Sequence, residues 1–390
     1  MYSLVAEPAV PVRNSDYFSL IKPSRKHVCD FHCDKLSQGT WTKAVQVSSA
    51  GMQAWLEPVA HSCHNSAMEP RISNRRTFLR NSLGTIAAMA VVGPSPSLQV
   101  SAREAGLKSL PIRLGGPAFA ETKDPEELAQ AHRKLGYSAA YCPNLSLKDS
   151  AQIRAYADAF ARHDVVIAEV GRWVNLLDAD SEKRRLNLQV VTGGLALAEA
   201  IGARCCVDIA GSFSPDSWFG PHRENLSQKH FDASVENARK IIDAVNPVRT
   251  TFCYEVMGWS WPDSPDHYVK MIKAIDRKAF SVHLDPCNLV NSPERFYENT
   301  QLLNECFDKL GKWISSCHAK DLAWDVEMNV HFREVAPGKG SLDYGTYLRR
   351  LAQLPQNPPL MLEHLHTAEE YTGAREHIFE VGKGLGLAFA

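Results

Sequence analysis

Four side chains at the ends of short apolar runs carry the chemistry of this sequence. Thr-Thr-Phe-Cys-Tyr-Glu ends at Glu255, Ser-Val-His-Leu-Asp at Asp285, Ile-Ser-Ser-Cys-His at His318, and Leu-Met-Leu-Glu-His contains Glu363. Two glutamates, an aspartate and a histidine make a donor set of hard oxygens with one imidazole. Such a set suits a single divalent ion, Mn²⁺ foremost, with Mg²⁺, Co²⁺, Fe²⁺ or Zn²⁺ as alternatives; it lacks the thiolates of a structural zinc site. An ion of this kind polarises a carbonyl and an adjacent hydroxyl, and a nearby carboxylate can then remove the proton α to that carbonyl. Glu255 and Glu363 are the candidate bases.

For these four to meet, the runs carrying them must be neighbouring strands pointing the same way. The sequence alternates strand and helix from residue 112 onward. Strands are expected at 112–119, 137–143, 165–170, 205–210, 250–256, 280–285, 313–318 and 360–364, with helices between and after them. Eight such units predict an α/β fold, a single-domain (β/α)8 barrel, whose active face lies at the carboxyl ends of its strands. Parity agrees, because side chains along a strand alternate between barrel interior and helix layer. Cys253 shares a face with Glu255, His283 with Asp285, Ser316 with His318 and Met361 with Glu363, whereas Val282, Leu284, Leu360 and Leu362 take the opposite face.

Other residues near the predicted mouth could bind substrate. Glu169 stands near the end of the third strand and Arg172 and Asn175 follow it, and Trp218, Phe219 and His222 lie in a loop rich in glycine, proline and aromatics after the fourth. His283 and Asn288 flank Asp285, and Lys320 and Arg333 could neutralise an oxyanion or a phosphate. Gly338, Gly340 and Asp343 read as a turn followed by a helix cap rather than a phosphate cradle.

The first hundred residues have a different character. Ser-Asn-Arg-Arg-Thr-Phe-Leu-Arg (73–80), an apolar segment at 83–93 and small residues at Val100-Ser101-Ala102 have the order of a twin-arginine export signal. Residues 68–102 are read as that signal, with translation starting at Met68 and 1–67 as a disordered or spurious extension. This leaves 103–390 as the barrel and a periplasmic location. Ten cysteines show no disulfide or zinc-ribbon spacing. A formal net charge of −1 lacks the basic excess of a nucleic-acid binder, and no apolar run is long enough for a stable membrane span. The expected partner is a small carbohydrate; oligomeric state is left open.

From Pro111 to the C-terminus the chain resembles the xylose isomerase-like barrel superfamily of sugar phosphate isomerases and epimerases. The tracts that carry the resemblance are Cys-Tyr-Glu (253–255), His-Leu-Asp-Pro-Cys-Asn (283–288), Cys-His-Ala-Lys-Asp (317–321), Pro-Gly-Lys-Gly-Ser-Leu-Asp-Tyr (337–344) and Leu-Met-Leu-Glu-His-Leu (360–365). The resemblance implies that Glu255, Asp285, His318 and Glu363 hold one divalent ion and that the two glutamates move protons. It departs at two positions. Epimerases of this group carry a histidine where this chain has Asn288 and a glutamate where it has Trp261. Isomerisation or epimerisation of a sugar is therefore the leading expectation, beside elimination from a 3-keto-glycoside (lyase or dehydratase) and metal-dependent sugar binding without turnover. The apurinic endonuclease branch needs more histidine ligands and a basic face, which this sequence lacks.

Overall fold

The computed structural model describes residues 109–390. The expected export signal and leader, 1–102, lie outside the described residues. Eight parallel strands close into a barrel: β1 (Leu114–Gly115), β2 (Ala139–Tyr141), β3 (Val166–Gly171), β4 (Cys205–Asp208), β5 (Thr251–Glu255), β6 (Phe280–Leu284), β7 (Ile314–Ala319) and β10 (Leu360–Leu362). β10 lies between β7 and β1, so the strand order follows the chain and then closes. The strands alternate with α1 (Pro125–Lys134), α2 (Ser150–Arg162), α3 (Ser181–Ile201), α4 (Gln228–Val245), α5 (Pro265–Ile275), α6 (Pro293–Tyr297), α7 (Asn299–Leu310), α8 (Tyr344–Ala352) and α9 (Ala368–Gly384).

Local chemistry sets the helix ends. Asp124 accepts from the backbone N–H groups of Glu126 and Glu127, with Pro125 in the first turn, where its missing N–H costs nothing. Thr367 and Glu370 form a reciprocal capping box at the start of α9. α3 ends at Gly202 with φ 80°, a left-handed conformation that glycine adopts without strain. The helical connection between β6 and β7 is divided in two, because Glu298 departs from helical geometry between α6 and α7.

The parity read from the sequence holds. Val282, Leu284, Leu360 and Leu362 belong to the large core between strands and helices. Cys205, Val207 and Cys253 form one small interior cluster, and Ala139, Ala168 and Met361 another. The interior is narrow: a Cβ on Gly115 would lie 2.5 Å from the Ala139 carbonyl oxygen. Outside the barrel, buried tyrosines clamp the strands by their hydroxyls. Tyr268 donates to the carbonyls of Tyr254 (2.6 Å) and Ser281 (2.9 Å), Tyr347 to that of His318 (2.9 Å), and Tyr344 to that of Lys320 (2.8 Å). Each ring buries apolar area, roughly 1.5–3 kcal/mol for a large side chain, while its hydroxyl fixes a strand terminus in place.

One element was not foreseen. β8 (Asp321–Trp324) and β9 (Phe332–Val335) form an antiparallel hairpin between β7 and α8. Phe332 stacks on Phe296 at 5.1 Å with near-parallel planes, and Trp324 meets Phe332 edge-on at 5.1 Å. Its base is tied down by Asp321, whose carboxylate accepts from the N–H groups of Gly338 (3.0 Å), Gly340 (3.0 Å) and Leu342 (2.9 Å). Residues 337–343 are thus a turn gathered around a carboxylate, followed by Asp343 capping α8.

Candidate metal centre

Glu255 ends β5, Asp285 follows β6, His318 is the penultimate residue of β7, and Glu363 follows β10. Their neighbours in register bring them together: Glu255 pairs with His283, and His318 with Met361. One donor atom from each of the four lies within 4.8 Å of the others. His318 Nδ1 stands 2.9 Å from Glu363 Oε2, 3.1 Å from Glu255 Oε1 and 3.6 Å from Asp285 Oδ2. The side chain of Asp285 is fully buried and that of Glu255 nearly so, while Glu363 is the most open at 13% exposed.

Lys320 completes the cluster. Its ammonium lies 2.8 Å from Asp285 Oδ2, 2.7 Å from Glu363 Oε2 and 3.7 Å from Glu255 Oε1, and its side chain is 2% exposed. Burial alone would lower its pKa, but Asp285, Glu363 and Glu255 outweigh burial and raise it well above the ordinary lysine range. Burial likewise opposes ionisation of Asp285 and Glu363. Lys320 and His318 reverse that for Asp285, as His318 and Lys320 do for Glu363, and both carboxyls sit below their usual range. Burial would also discharge His318, yet Glu363, Glu169 and Glu255 hold its pKa well above the ordinary value.

The donor set fits a cation. Asp285 Oδ2 and Glu363 Oε2 are buried without a hydrogen-bond partner, and the charge that faces them here is the Lys320 ammonium, at 2.8 and 2.7 Å. Buried carboxylate oxygens left this way are costly unless a charge faces them. Glu255, Asp285, His318 and Glu363 would hold such an ion, with hard oxygens and one imidazole.

Beneath this cluster lies a second one that shares His318. Glu169, 1% exposed, accepts from His283 Nε2 (2.9 Å), Ser316 Oγ (3.0 Å) and His318 Nε2 (3.2 Å). Burial pushes its pKa up, but the two imidazoles outweigh burial and bring it down to about 2. Both of its oxygens are therefore committed inside the barrel rather than facing a substrate hydroxyl. His283 is likewise fully buried, with its ring 4.1 Å from that of His318.

The remaining candidates scatter. Asn288 Nδ2 donates to Glu255 Oε1 and to the Val256 carbonyl, both at 3.1 Å, and so steadies Glu255. Trp218 is 41% exposed, edge-on to Phe219 at 5.0 Å, and Trp259 from the next loop donates to the Phe219 carbonyl at 2.8 Å. His222 accepts from the Glu224 N–H at 3.3 Å within the same loop. Arg333 stands on β9, over half exposed, and pairs with Asp325 at 3.1 Å, outside the cluster. Arg172 donates to its neighbour's carbonyl, and Asn175 ties its loop to Ser212. Trp173 lines the interior with its ring 6.4 Å from that of His318, and Tyr141 donates to the Leu362 carbonyl beside Glu363. Neither is singled out by the sequence pattern, although Tyr141 ends a strand much as the four clustered residues do.

A closed parallel barrel with an acid-rich centre at its carboxyl end defines a class of TIM-barrel protein. A family profile described as xylose isomerase-like TIM barrel matches residues 102–380, and the chain belongs to that family. Solved structures share the fold. A xylose isomerase domain protein from Planctomyces limnophilus aligns at TM-score 0.52 and 16% identity, covering 71% of this chain and 98% of its own. A xylose isomerase-like TIM barrel protein from Mycobacterium smegmatis, in complex with magnesium, aligns at 0.50 and 19%, covering 71% and 97%. D-psicose 3-epimerase from Clostridium cellulolyticum H10, solved with D-tagatose, aligns at 0.50 and 14%, covering 71% and 100%. A search of curated proteins finds no match to the chain.

Proposed function

We propose that the chain is a divalent-metal-dependent enzyme that removes a proton α to the carbonyl of a sugar, keto-sugar or polyol derivative, and so isomerises or epimerises it. The observation that carries this reading is the meeting of Glu255, Asp285, His318 and Glu363 within 4.8 Å. Family membership supports it, and magnesium in the M. smegmatis relative and a sugar in the psicose epimerase agree with the proposed ion and substrate. A bound dication supplies Lewis acidity toward the carbonyl oxygen and the hydroxyl beside it. Mn²⁺ is the proposed ion, and the periplasm, reached by twin-arginine export, the proposed location.

Within the chain, Glu363 is the proposed base. It is held ionised, the form that accepts a proton, and it is the most open of the four. Glu255, steadied by Asn288, is placed to handle the proton at the neighbouring carbon. Lys320 offsets negative charge that builds on oxygen during proton removal. Return of the proton to the other carbon isomerises the substrate; return to the opposite face epimerises it.

Elimination from a 3-keto-glycoside is the second reading. It is favoured by Trp261, which is buried against Phe231 where sugar epimerases of this group carry a glutamate. Incubation of the Mn²⁺-loaded protein with ketoses and 3-keto-glycosides in D₂O tests both. Deuterium entering beside a carbonyl is expected, and Glu363→Gln should abolish it with the fold intact. Tight sugar binding without deuterium entry or product would instead make the protein a sugar receptor.

A further inference from the structure

His318 uses both ring nitrogens, and each faces a different group. Nδ1 points among Glu255, Asp285 and Glu363, whereas Nε2 lies 3.2 Å from Glu169 Oε1. An ionised carboxylate only accepts hydrogen bonds, so the nitrogen facing Glu169 must carry the proton. A neutral imidazole has a single N–H. Without an ion Nδ1 also faces carboxylates, 3.1 Å from Glu255 Oε1 and 2.9 Å from Glu363 Oε2; a cation seated there takes the place of the Nδ1 proton, and the one N–H that remains is the Nε2–H held by Glu169. The same carboxylate accepts from His283 Nε2 and Ser316 Oγ, which pin it from a second strand and a third.

We propose that Glu169 is a positioning residue: it fixes the Nε2–H tautomer of His318 and turns Nδ1 toward Glu255, Asp285 and Glu363 for a divalent cation. This rests on the metal-dependent reading above and deepens it. Glu169 touches neither substrate nor ion; it acts through His318. A histidine ligand whose far nitrogen donates to a carboxylate is both oriented and made a better donor, and loss of such a partner weakens metal affinity by about 10–100-fold. Glu169, His283 and His318 could themselves be taken for a second cation site. Against that, every oxygen of Glu169 already accepts a hydrogen bond, unlike Asp285 Oδ2 and Glu363 Oε2.

Calorimetric titration of the metal-free full-length protein with Mn²⁺ gives the first measurement. One ion per chain is expected, with affinity about 10–100-fold weaker in Glu169→Gln. Ser316→Ala, which removes one neutral hydrogen bond but keeps the carboxylate and its contact with His318, should weaken affinity less than Glu169→Gln does. Nitrogen NMR of ¹⁵N-histidine-labelled wild-type protein loaded with diamagnetic Mg²⁺ gives the second, and His318 should show its proton on Nε2. This measurement needs no variant to fold, and a purely structural role for Glu169 would not dictate its outcome. Unchanged affinity in Glu169→Gln, a proton on Nδ1 of His318, or a second ion that disappears in Glu169→Gln would each overturn the role of Glu169. A wild-type protein that binds no divalent ion would instead overturn the metal-dependent reading beneath it.

Discussion

Replacing Lys320 by methionine keeps the length of the stem and deletes the charge. In the native chain the ammonium lies between 2.7 and 3.7 Å from three carboxylates and is almost fully buried. Four carboxylates (Glu169, Glu255, Asp285, Glu363) crowd this region against one lysine and two imidazoles. Removing one partner of a buried ion pair costs about 3–5 kcal/mol, because the opposite charge stays behind unpaired. In chelator, Lys320→Met should therefore melt roughly 6–20 °C below wild type. A dication at the same oxygens would restore part of that loss, and ligand at a hundred times its dissociation constant stabilises by about 2.7 kcal/mol. The variant should accordingly gain more from Mn²⁺ than wild type does, since no ammonium competes for Asp285 and Glu363. Thermal melts by circular dichroism with chelator and with a Mn²⁺ series measure both effects. Equal melting temperatures in chelator, or a smaller Mn²⁺ response in the variant, would refute the view that lysine and ion share these oxygens.

Two further outcomes are expected. Trp218→Ala should raise KM several-fold with little change in kcat or melting temperature, as a half-exposed ring that contacts the substrate in ground and transition states alike would; steady-state kinetics on the substrate found by deuterium exchange decides it, and an unchanged KM removes Trp218 from the binding surface. His132 packs its buried ring 5.8 Å from that of Phe160, and burial brings its pKa down to about 4. The unfolded chain protonates this histidine near pH 6.5 while the folded one refuses the proton. Stability should thus fall as pH drops from 6.5 toward 4, by up to about 3 kcal/mol. His132→Leu should flatten that part of the slope in urea unfolding at pH 7 and pH 4.5, and identical slopes would exclude the mechanism.

The strand ends were legible because each of the four clustered side chains follows an apolar run and obeys the two-residue alternation of a barrel strand. Glu255, Asp285, His318 and Glu363 could be grouped from that alone, since strand order in such a barrel follows chain order. Glu169 marks the limit of what the alternation encodes. It too sits on a strand, but periodicity assigns a face and not a depth, so the pattern points it at substrate hydroxyls, whereas it is buried against His318 and held by His283 and Ser316. The hairpin from Asp321 to Val335 was missed because its segments are four residues each and its stability comes from a distant ring, Phe296. Arg333 was drawn toward the site by its sequence position; the hairpin carries it outward to Asp325. Phe119, expected to end the first strand, lies outside it with φ 50°, its ring against Tyr371, and β1 stops at Gly115.

Trp261 follows Glu255 by six residues, yet its indole lies 4.8 Å from the ring of Phe231 and 4.0 Å from that of His267, beneath the ammonium of Lys270. That position belongs to the packing between α4 and α5. A glutamate at 261 would therefore sink an acid among rings instead of bringing one to the cluster at Glu255. Bringing an acid from the sixth position after Glu255 to the centre would require rebuilding the connection from 256 to 264, since the course of the backbone, rather than the identity of one residue, decides what that position can reach.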